Sequence, residues 1–282
     1  MTTSPLDALA DRQGPLSRRS FRWLLAGGTV SAFGGALSFG RVAQAYERWR
    51  PGYPDELYDL ISGYADAPIR TALEIGAGTG KATRLLARHG VAVTATEPDP
   101  AMLAELRRQV PDTVTAVQAT LEEVTPGPSY DLVLAAASLH WTQPDGRWSR
   151  IAGLLRPGGV FAAFGGAMRL ADPTVEEAVE AARAPFLASD DISTHDGEDG
   201  MRWPGTELRA RPELGDVVQH EIPRRFSTSA EGYIGYLTTV SAYLALPDPR
   251  PALAAIRRVL PARVEFVADI TVHLARACAP RA

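Results

Sequence analysis

Residues 73–81 read Leu73-Glu74-Ile75-Gly76-Ala77-Gly78-Thr79-Gly80-Lys81. The short apolar run Thr71–Ile75 has strand character, glycines follow at alternate positions, and Lys81–Arg88 then sets Leu85 and Leu86 on one helical face. A strand that turns through glycines into a helix is a nucleotide-site geometry. Glycine accepts positive φ, a ligand can approach its bare backbone, and the helix presents unpaired N-terminal amides. Dinucleotide-binding domains use a similar turn. Two features argue against a dinucleotide here: Lys81 stands where that fingerprint needs its third glycine, and Glu74 precedes the loop. A carboxylate there repels pyrophosphate but suits the ammonium end of an amino-acid ligand.

Outward from the loop, Val91–Thr96 reads as a second strand and ends in Glu97-Pro98-Asp99-Pro100. An acid at a strand tip about twenty residues past such a loop is placed to accept hydrogen bonds from ribose hydroxyls. Asp99, at the start of the next helix, is the better helix cap, which frees Glu97 for a ligand. The alternation then continues: helix Ala101–Arg108, strands Val114–Val117 and Asp131–Ala135, helix Arg147–Leu155, strand Gly159–Phe164. Strands without clean polar alternation, separated by helices, imply a parallel sheet covered on both faces, a doubly wound α/β fold. Upstream, Val42–Trp49 reads as a short helix broken by Arg50-Pro51-Gly52-Tyr53-Pro54, and residues 55–64 as an amphipathic helix. Downstream, the pattern predicts helices over Val175–Ala182, Ala230–Val240 and Pro251–Val259, a strand over Val217–Ile222, and one long closing strand over Val264–Leu274. Ser189–Gly205 carries Asp190, Asp191, His195, Asp196, Glu198 and Asp199 without fixed ligand spacing, and reads as a solvated loop, not a metal site.

These segments together resemble the class I S-adenosylmethionine-dependent methyltransferases, in the branch of trans-aconitate methyltransferase-like and ubiquinone-biosynthesis-like enzymes. The resemblance rests on Leu73 to Gly80, on Glu97-Pro98-Asp99-Pro100-Ala101-Met102-Leu103, and on Tyr130-Asp131-Leu132-Val133 with Leu139-His140-Trp141. Leu154-Leu155-Arg156-Pro157-Gly158-Gly159 belongs to the same set, as do Phe39 to Tyr46 and Arg50 to Pro54 upstream. It covers residues 39 to about 275.

The resemblance implies a Rossmann-like sheet of seven strands with the last antiparallel, helices on both faces, and a small helical cap, with the cofactor lying over the strand tips. Gly76, Ala77, Gly78 and Gly80 are then expected against its methionine and ribose portions, and Glu97 on the ribose. Pro98 and Met102 would flank the adenine, with Thr120 and Leu121 at its edge. The turn Ala119-Thr120-Leu121-Glu122 departs from the family's small residue followed by Glu. The Ala136 carbonyl, with Glu74, would face the ammonium group, while Tyr46 and Arg50 close over the methionine end. In this reading residues 1–38 are an extension that is helical or partly disordered, residues 39–282 form the domain, and 167–260 supply the cap on the substrate side.

Methyl transfer from a sulfonium is an in-line displacement by an already activated donor, so alignment and exclusion of water are the enzyme's main tasks. His140, at the end of the fourth strand, is the candidate catalytic base. The alternative is that His140 and Trp141 simply wall the pocket. Tyr233 and Tyr236, three residues apart on one helical face, either line the acceptor pocket or pack inward. The expected activity is methylation of oxygen, carbon or nitrogen on a small-molecule acceptor. A same-fold enzyme that uses the sulfonium electrostatically, in a cyclisation for example, is the alternative.

Bulk properties agree. The 282 residues are 45% hydrophobic and 22% charged with net charge -4, and no basic stripe suggests a nucleic-acid partner. Lys81 is the sole lysine and asparagine is absent, a joint loss that reads as codon bias in a G+C-rich genome. Cys278, the single cysteine, excludes an intramolecular disulfide and a multi-cysteine metal site, and fits a reducing compartment. Ser17-Arg18-Arg19-Ser20-Phe21-Arg22, with the apolar stretch to Phe39, resembles a twin-arginine export signal, and Ala43-Gln44-Ala45 would serve as a cleavage site. An intracellular cofactor, and the loss of domain residues on such cleavage, argue for the cytoplasm. The stretch is short and glycine-rich for a membrane span, and is expected instead to cover the site or to join a second copy.

Overall fold

Alternate residues of each central strand are committed to opposite apolar faces. In the computed structural model, which describes residues 39–125, 129–187 and 200–278, Ala72, Val93, Leu132 and Leu134 pack with Leu57, Ile61, Leu85 and Leu86 of two helices. Their neighbours Leu73, Ile75, Val133 and Ala135 pack on the other side with Ile151, Leu154 and Phe161. Side chains alternate across a strand, so two apolar faces oblige helices on both. Each fully buried leucine or isoleucine contributes about 1.5–3 kcal/mol.

The strands are β1 (Thr71–Ile75), β2 (Ala92–Thr96), β3 (Thr115–Val117), β4 (Tyr130–Ala136), β5 (Leu155–Gly165), β7 (Leu214–Ile222) and β10 (Ile270–Ala277). They lie in the order β3-β2-β1-β4-β5-β10-β7, with β10 antiparallel to both of its neighbours. This is the seven-stranded sheet with an antiparallel last strand expected from the sequence. The flanking helices are α1 (Ala43–Trp49), α2 (Asp55–Tyr64), α3 (Lys81–Arg88), α4 (Pro100–Gln109) and α5 (Arg147–Leu154). Strand order reverses between β1 and β4, which makes the carboxyl ends of β1, β2 and β4 a topological switch point, where open α/β sheets bind ligands.

The cap combines α6 (Pro173–Arg183), α8 (Ala230–Leu237), α9 (Ser241–Leu244) and α10 (Arg250–Val259) with a three-stranded antiparallel sheet. That sheet orders β6 (Arg169–Leu170), β9 (Arg263–Val267) and β8 (Arg225–Ser229), and the sequence reading did not include it. The expected closing strand over Val264–Leu274 is therefore two strands, β9 in the cap and β10 in the main sheet, joined through Ala268 and Asp269. Likewise the helix read over Ala230–Val240 ends at Leu237, and α9 restarts at Ser241. A short helix, α7 (Gly205–Leu208), packs near β7. The 1–38 extension, with its twin-arginine-like run and expected self-association, and residues 188–199 of the acidic stretch lie outside the described residues. Among the described residues, no helix is long and apolar enough to cross a membrane.

Candidate functional site

The switch point opens into a cavity of about 390 Å³. Its floor is the glycine loop. Gly76, Gly78 and Gly80 hold φ of +63°, +59° and +86°, a region that side-chain-bearing residues avoid. A Cβ at Gly76 would also come within 2.8 Å of Ser138 Cβ. Gly80 caps α3 in the left-handed conformation and does not line the cavity, so its part is the turn itself. Gly76, Ala77 and Gly78 do line it.

Glu97, at the tip of β2, is buried and lines the cavity. Its Oε2 accepts the Gly78 N–H at 2.8 Å and its Oε1 the Asp99 N–H at 2.9 Å. Asp99 in turn caps α4, accepting from Ala101 N–H (2.8 Å) and Met102 N–H (3.0 Å). Burial pushes the Glu97 pKa up to about 7, against the lowering by its two amide donors. Burial pushes Glu74 further, to about 8, although the Thr83 hydroxyl donates to its Oε2 at 2.6 Å.

The segment before the core closes one side. Tyr46 and Arg50 line the cavity. Arg50 is also joined to the cap: Nε donates to Thr239 Oγ1 and Nη2 to the Thr239 carbonyl oxygen, each at 2.9 Å. The Arg50 guanidinium lies over the rings of Tyr46 (5.1 Å) and Tyr236 (4.8 Å). Between these residues Glu47 accepts the Thr79 hydroxyl at 2.6 Å and pairs with Arg84 (2.7 Å) and Lys81 (3.3 Å). Phe39 stands edge-on to Tyr46 and to Trp141, with centroids 6.0 and 6.2 Å apart.

Opposite, Ala136, Ala137 and Ser138 leave the tip of β4 along the wall. Ala137 has φ +54°, and such a conformation in a residue with a Cβ costs about 1 kcal/mol or more and gathers at functional sites. The Ser138 hydroxyl donates to the Ile75 carbonyl oxygen. A 3₁₀ turn, Leu139–Trp141, then carries His140 and Trp141 onto the wall, their rings 4.5 Å apart. Burial and the Arg147 charge hold the His140 pKa below its ordinary value. Pro98, Met102, Thr120 and Leu121 line the far end. There the displaced acid, Glu122, also lines the cavity and accepts the Gln143 N–H at 2.8 Å.

Besides Gly80, two sequence-predicted residues are elsewhere. Tyr233 and Tyr236 do not line the cavity. They pack in the cap core, with ring centroids 5.4 and 6.1 Å from that of Phe266. The structure brings Tyr53, Met168, Arg224 and Asp269 to the cavity instead. Tyr53 stacks edge-on against Phe164 at 5.0 Å, and its hydroxyl has no hydrogen-bond partner among the described residues. Burial raises its pKa above the ordinary tyrosine value, so the hydroxyl stays protonated at neutral pH. Arg224 Nη1 donates to the Gly52 carbonyl oxygen at 2.7 Å, and the Arg224 N–H donates to Asp269 Oδ1 at 2.9 Å.

Residues 73–161 match the methyltransferase-domain family. An uncharacterised methyltransferase of Mycobacterium tuberculosis (strain ATCC 25618 / H37Rv) is 44% identical over 125 residues, 44% of this chain and 50% of that protein. Trans-aconitate 2-methyltransferase of Escherichia coli O1:K1 / APEC is 34% identical over 122 residues, 42% of this chain and 46% of that protein. The chain thus spans about half the length of these curated relatives. A solved structure from Anaeromyxobacter dehalogenans, provisionally named a type II methyltransferase, is 28% identical with a TM-score of 0.60, covering 81% of this chain and 98% of that one. Residues 73–161 therefore carry a methyltransferase domain, set in a fold shared with a solved methyltransferase structure.

Proposed function

We propose that this protein transfers the methyl group of S-adenosylmethionine to a small-molecule acceptor, within the cytoplasm where that cofactor is made. One observation carries the reading: a single cavity is lined both by the bare glycine loop with Glu97 and by His140, Tyr53 and Arg224. The residues fit the cofactor. Glu97 uses one lone pair of each oxygen on a backbone amide, and carboxylate oxygens have further acceptor capacity for ribose hydroxyls. Pro98, Met102, Thr120 and Leu121 would flank the adenine, and Glu74, Gly76 and Ala136 would face the ammonium group beside Tyr46. When bound, the cofactor supplies a methyl group on a sulfonium, which needs alignment more than activation.

The chain's own residues do the rest. Phe39, Tyr46 and Trp141 wall the same cavity and exclude water from it. Arg50 ties that cover to the cap through Thr239. His140, neutral at pH 7, can accept a proton from a hydroxyl or amine acceptor, whereas an acceptor that is already anionic needs no base. Tyr53 and Arg224 can donate to the acceptor.

The test incubates the protein with methyl-labelled cofactor and an extract of the source cell, and identifies labelled products together with S-adenosylhomocysteine. Both are expected. Failure of the protein to bind either form of the cofactor would overturn the reading, and turnover without S-adenosylhomocysteine would replace methylation by another reaction. Full activity in His140→Ala would leave that residue only its wall role.

A further inference from the structure

Behind the cavity wall, a buried guanidinium grips the turn that carries His140 and Trp141. Arg147, the first residue of α5, is 5% exposed. Its Nε donates to Thr142 Oγ1 and its Nη2 to the Thr142 carbonyl oxygen, each at 2.7 Å. The Thr142 hydroxyl donates across the turn to the Leu139 carbonyl oxygen at 2.8 Å, and the Trp141 N–H to that of Ser138 at 3.0 Å. A planar fork making two bonds to one residue fixes its rotation as well as its position, which a point charge does not. On its other side Arg147 meets the segment around α7. Its Nη1 is 4.0 Å from Glu207 Oε2, which also accepts the Trp148 indole N–H at 3.0 Å. The Trp203 ring centroid is 5.7 Å from the guanidinium carbon. Thr142, His140 and Trp141 line the cavity; Arg147, Glu207 and Trp203 do not.

We propose that Arg147 is a positioning residue for the transfer reaction: by clamping Thr142 it holds the His140 ring and Trp141 in the arrangement that an acceptor meets. The proposal rests on the function proposed above. Burying a guanidinium is costly unless its donors are matched, and an apolar side chain would fill the same space without that cost. Here the matched donors converge on one residue of the cavity wall, so orientation of that wall is what the arginine adds over packing. Its charge reaches the imidazole as well. Burial and Arg147 both disfavour the protonated ring, which keeps His140 neutral at pH 7. The carboxylates that act on Arg147 are Glu207 on α7 and Glu122 on the turn after β3, and Asp145 lies exposed between Thr142 and Arg147. Among the described residues, no cation other than Arg147 acts on the ring.

The experiment is NMR of the full chain with labelled histidine rings and saturating S-adenosylhomocysteine. The His140 signal is assigned by its loss in His140→Gln, and read for its titration midpoint and its cross-peaks to Trp141. Arg147→Gln removes both fork and charge, so the midpoint should rise and the cross-peaks should weaken. Arg147→Lys keeps the charge but not the fork, so the midpoint should stay near the wild-type value while the cross-peaks still weaken. Should Arg147→Gln fail to fold, Thr142→Val removes one of the two acceptors and should weaken the same cross-peaks. A folded Arg147→Gln or Thr142→Val protein with midpoint and cross-peaks unchanged would overturn the proposal. Calorimetry of S-adenosylhomocysteine on the wild-type sample separates the two readings, because absent binding defeats the proposed function while leaving the ring data to judge Arg147.

Discussion

Glu97 Oε2 accepts the backbone N–H of Gly78 at 2.8 Å, so the carboxylate at the tip of β2 is bonded to the loop that follows β1. Two strand ends that border one cavity are thereby tied together. A mutation of Glu97 must therefore separate the proposed hold on a ribose from the observed hold on the loop.

Glu97→Ala is expected to weaken cofactor binding at least about tenfold, since two ribose hydrogen bonds contribute about 1 kcal/mol each. The same change leaves the amides of Gly78 and Asp99 without their acceptor, so some loss of thermal stability should accompany it. Titration calorimetry with S-adenosylhomocysteine checks the first effect. Unchanged affinity would remove the ribose role.

Glu74 and Glu97 predict a pH dependence of definite sign. Both pKa values are raised in the folded protein, to about 8 and about 7, chiefly by burial. Unfolding returns them to ordinary carboxylate values, so the folded state binds more protons between about pH 5 and 8. Their stabilisation is complete at low pH and is lost as pH rises through 7 and 8. The Tm of the ligand-free protein should therefore fall across this range, and Glu74→Gln should flatten the fall. A cationic ligand reverses the preference, because it favours ionised Glu74. Cofactor affinity should rise over the same window, with protons released on binding. A Tm that climbs from pH 5 to 8 would contradict this.

Gly235→Ala tests the joint between the cap and the segment before the core. A Cβ at Gly235 would come within 2.4 Å of the Trp49 ring, so α8 and α1 approach only because that position is bare. The expected cost is about 1–3 kcal/mol, typical of overpacking, seen as a lowered Tm. Because Arg50 bridges the same joint to Thr239, cofactor affinity should fall with it. A variant as stable as wild type, with unchanged affinity, would show that the joint yields freely.

Legibility in the sequence followed contiguity. The glycine loop, Glu97 with its neighbouring cap Asp99, and the His140-Trp141 turn each lie within one short run, where spacing alone implies geometry. Arg224 and Asp269 lie at the two crossings between the main sheet and the cap sheet, after β7 and after β9, and meet through the Arg224 N–H. No local pattern marks that meeting. The split of Val264–Leu274 was hidden for a related reason: Val264, Phe266, Ala268, Ile270, Val272 and Leu274 are all buried, so period-2 alternation runs unbroken through the change of sheet. Tyr233 and Tyr236 do share a helical face, as their spacing implies. Which way that face points is decided by how the cap docks, and it meets Phe266.

Tyr53→Phe separates function from packing most cleanly. The Tyr53 ring packs against Phe164, and phenylalanine keeps that contact. The hydroxyl has no partner to lose among the described residues, so stability should be unchanged. Yet Tyr53 lines the cavity, as do Tyr46, Glu74, Arg50 and Arg224, whose charges act on its hydroxyl. If it donates to the acceptor, its removal should lower kcat/KM about tenfold, the equivalent of one hydrogen bond of roughly 1.4 kcal/mol, while S-adenosylhomocysteine binds as before. A Tm at or above the wild-type value together with impaired turnover would place Tyr53 on the acceptor. Full turnover would mean that the acceptor lies against Arg224 or His140 without it.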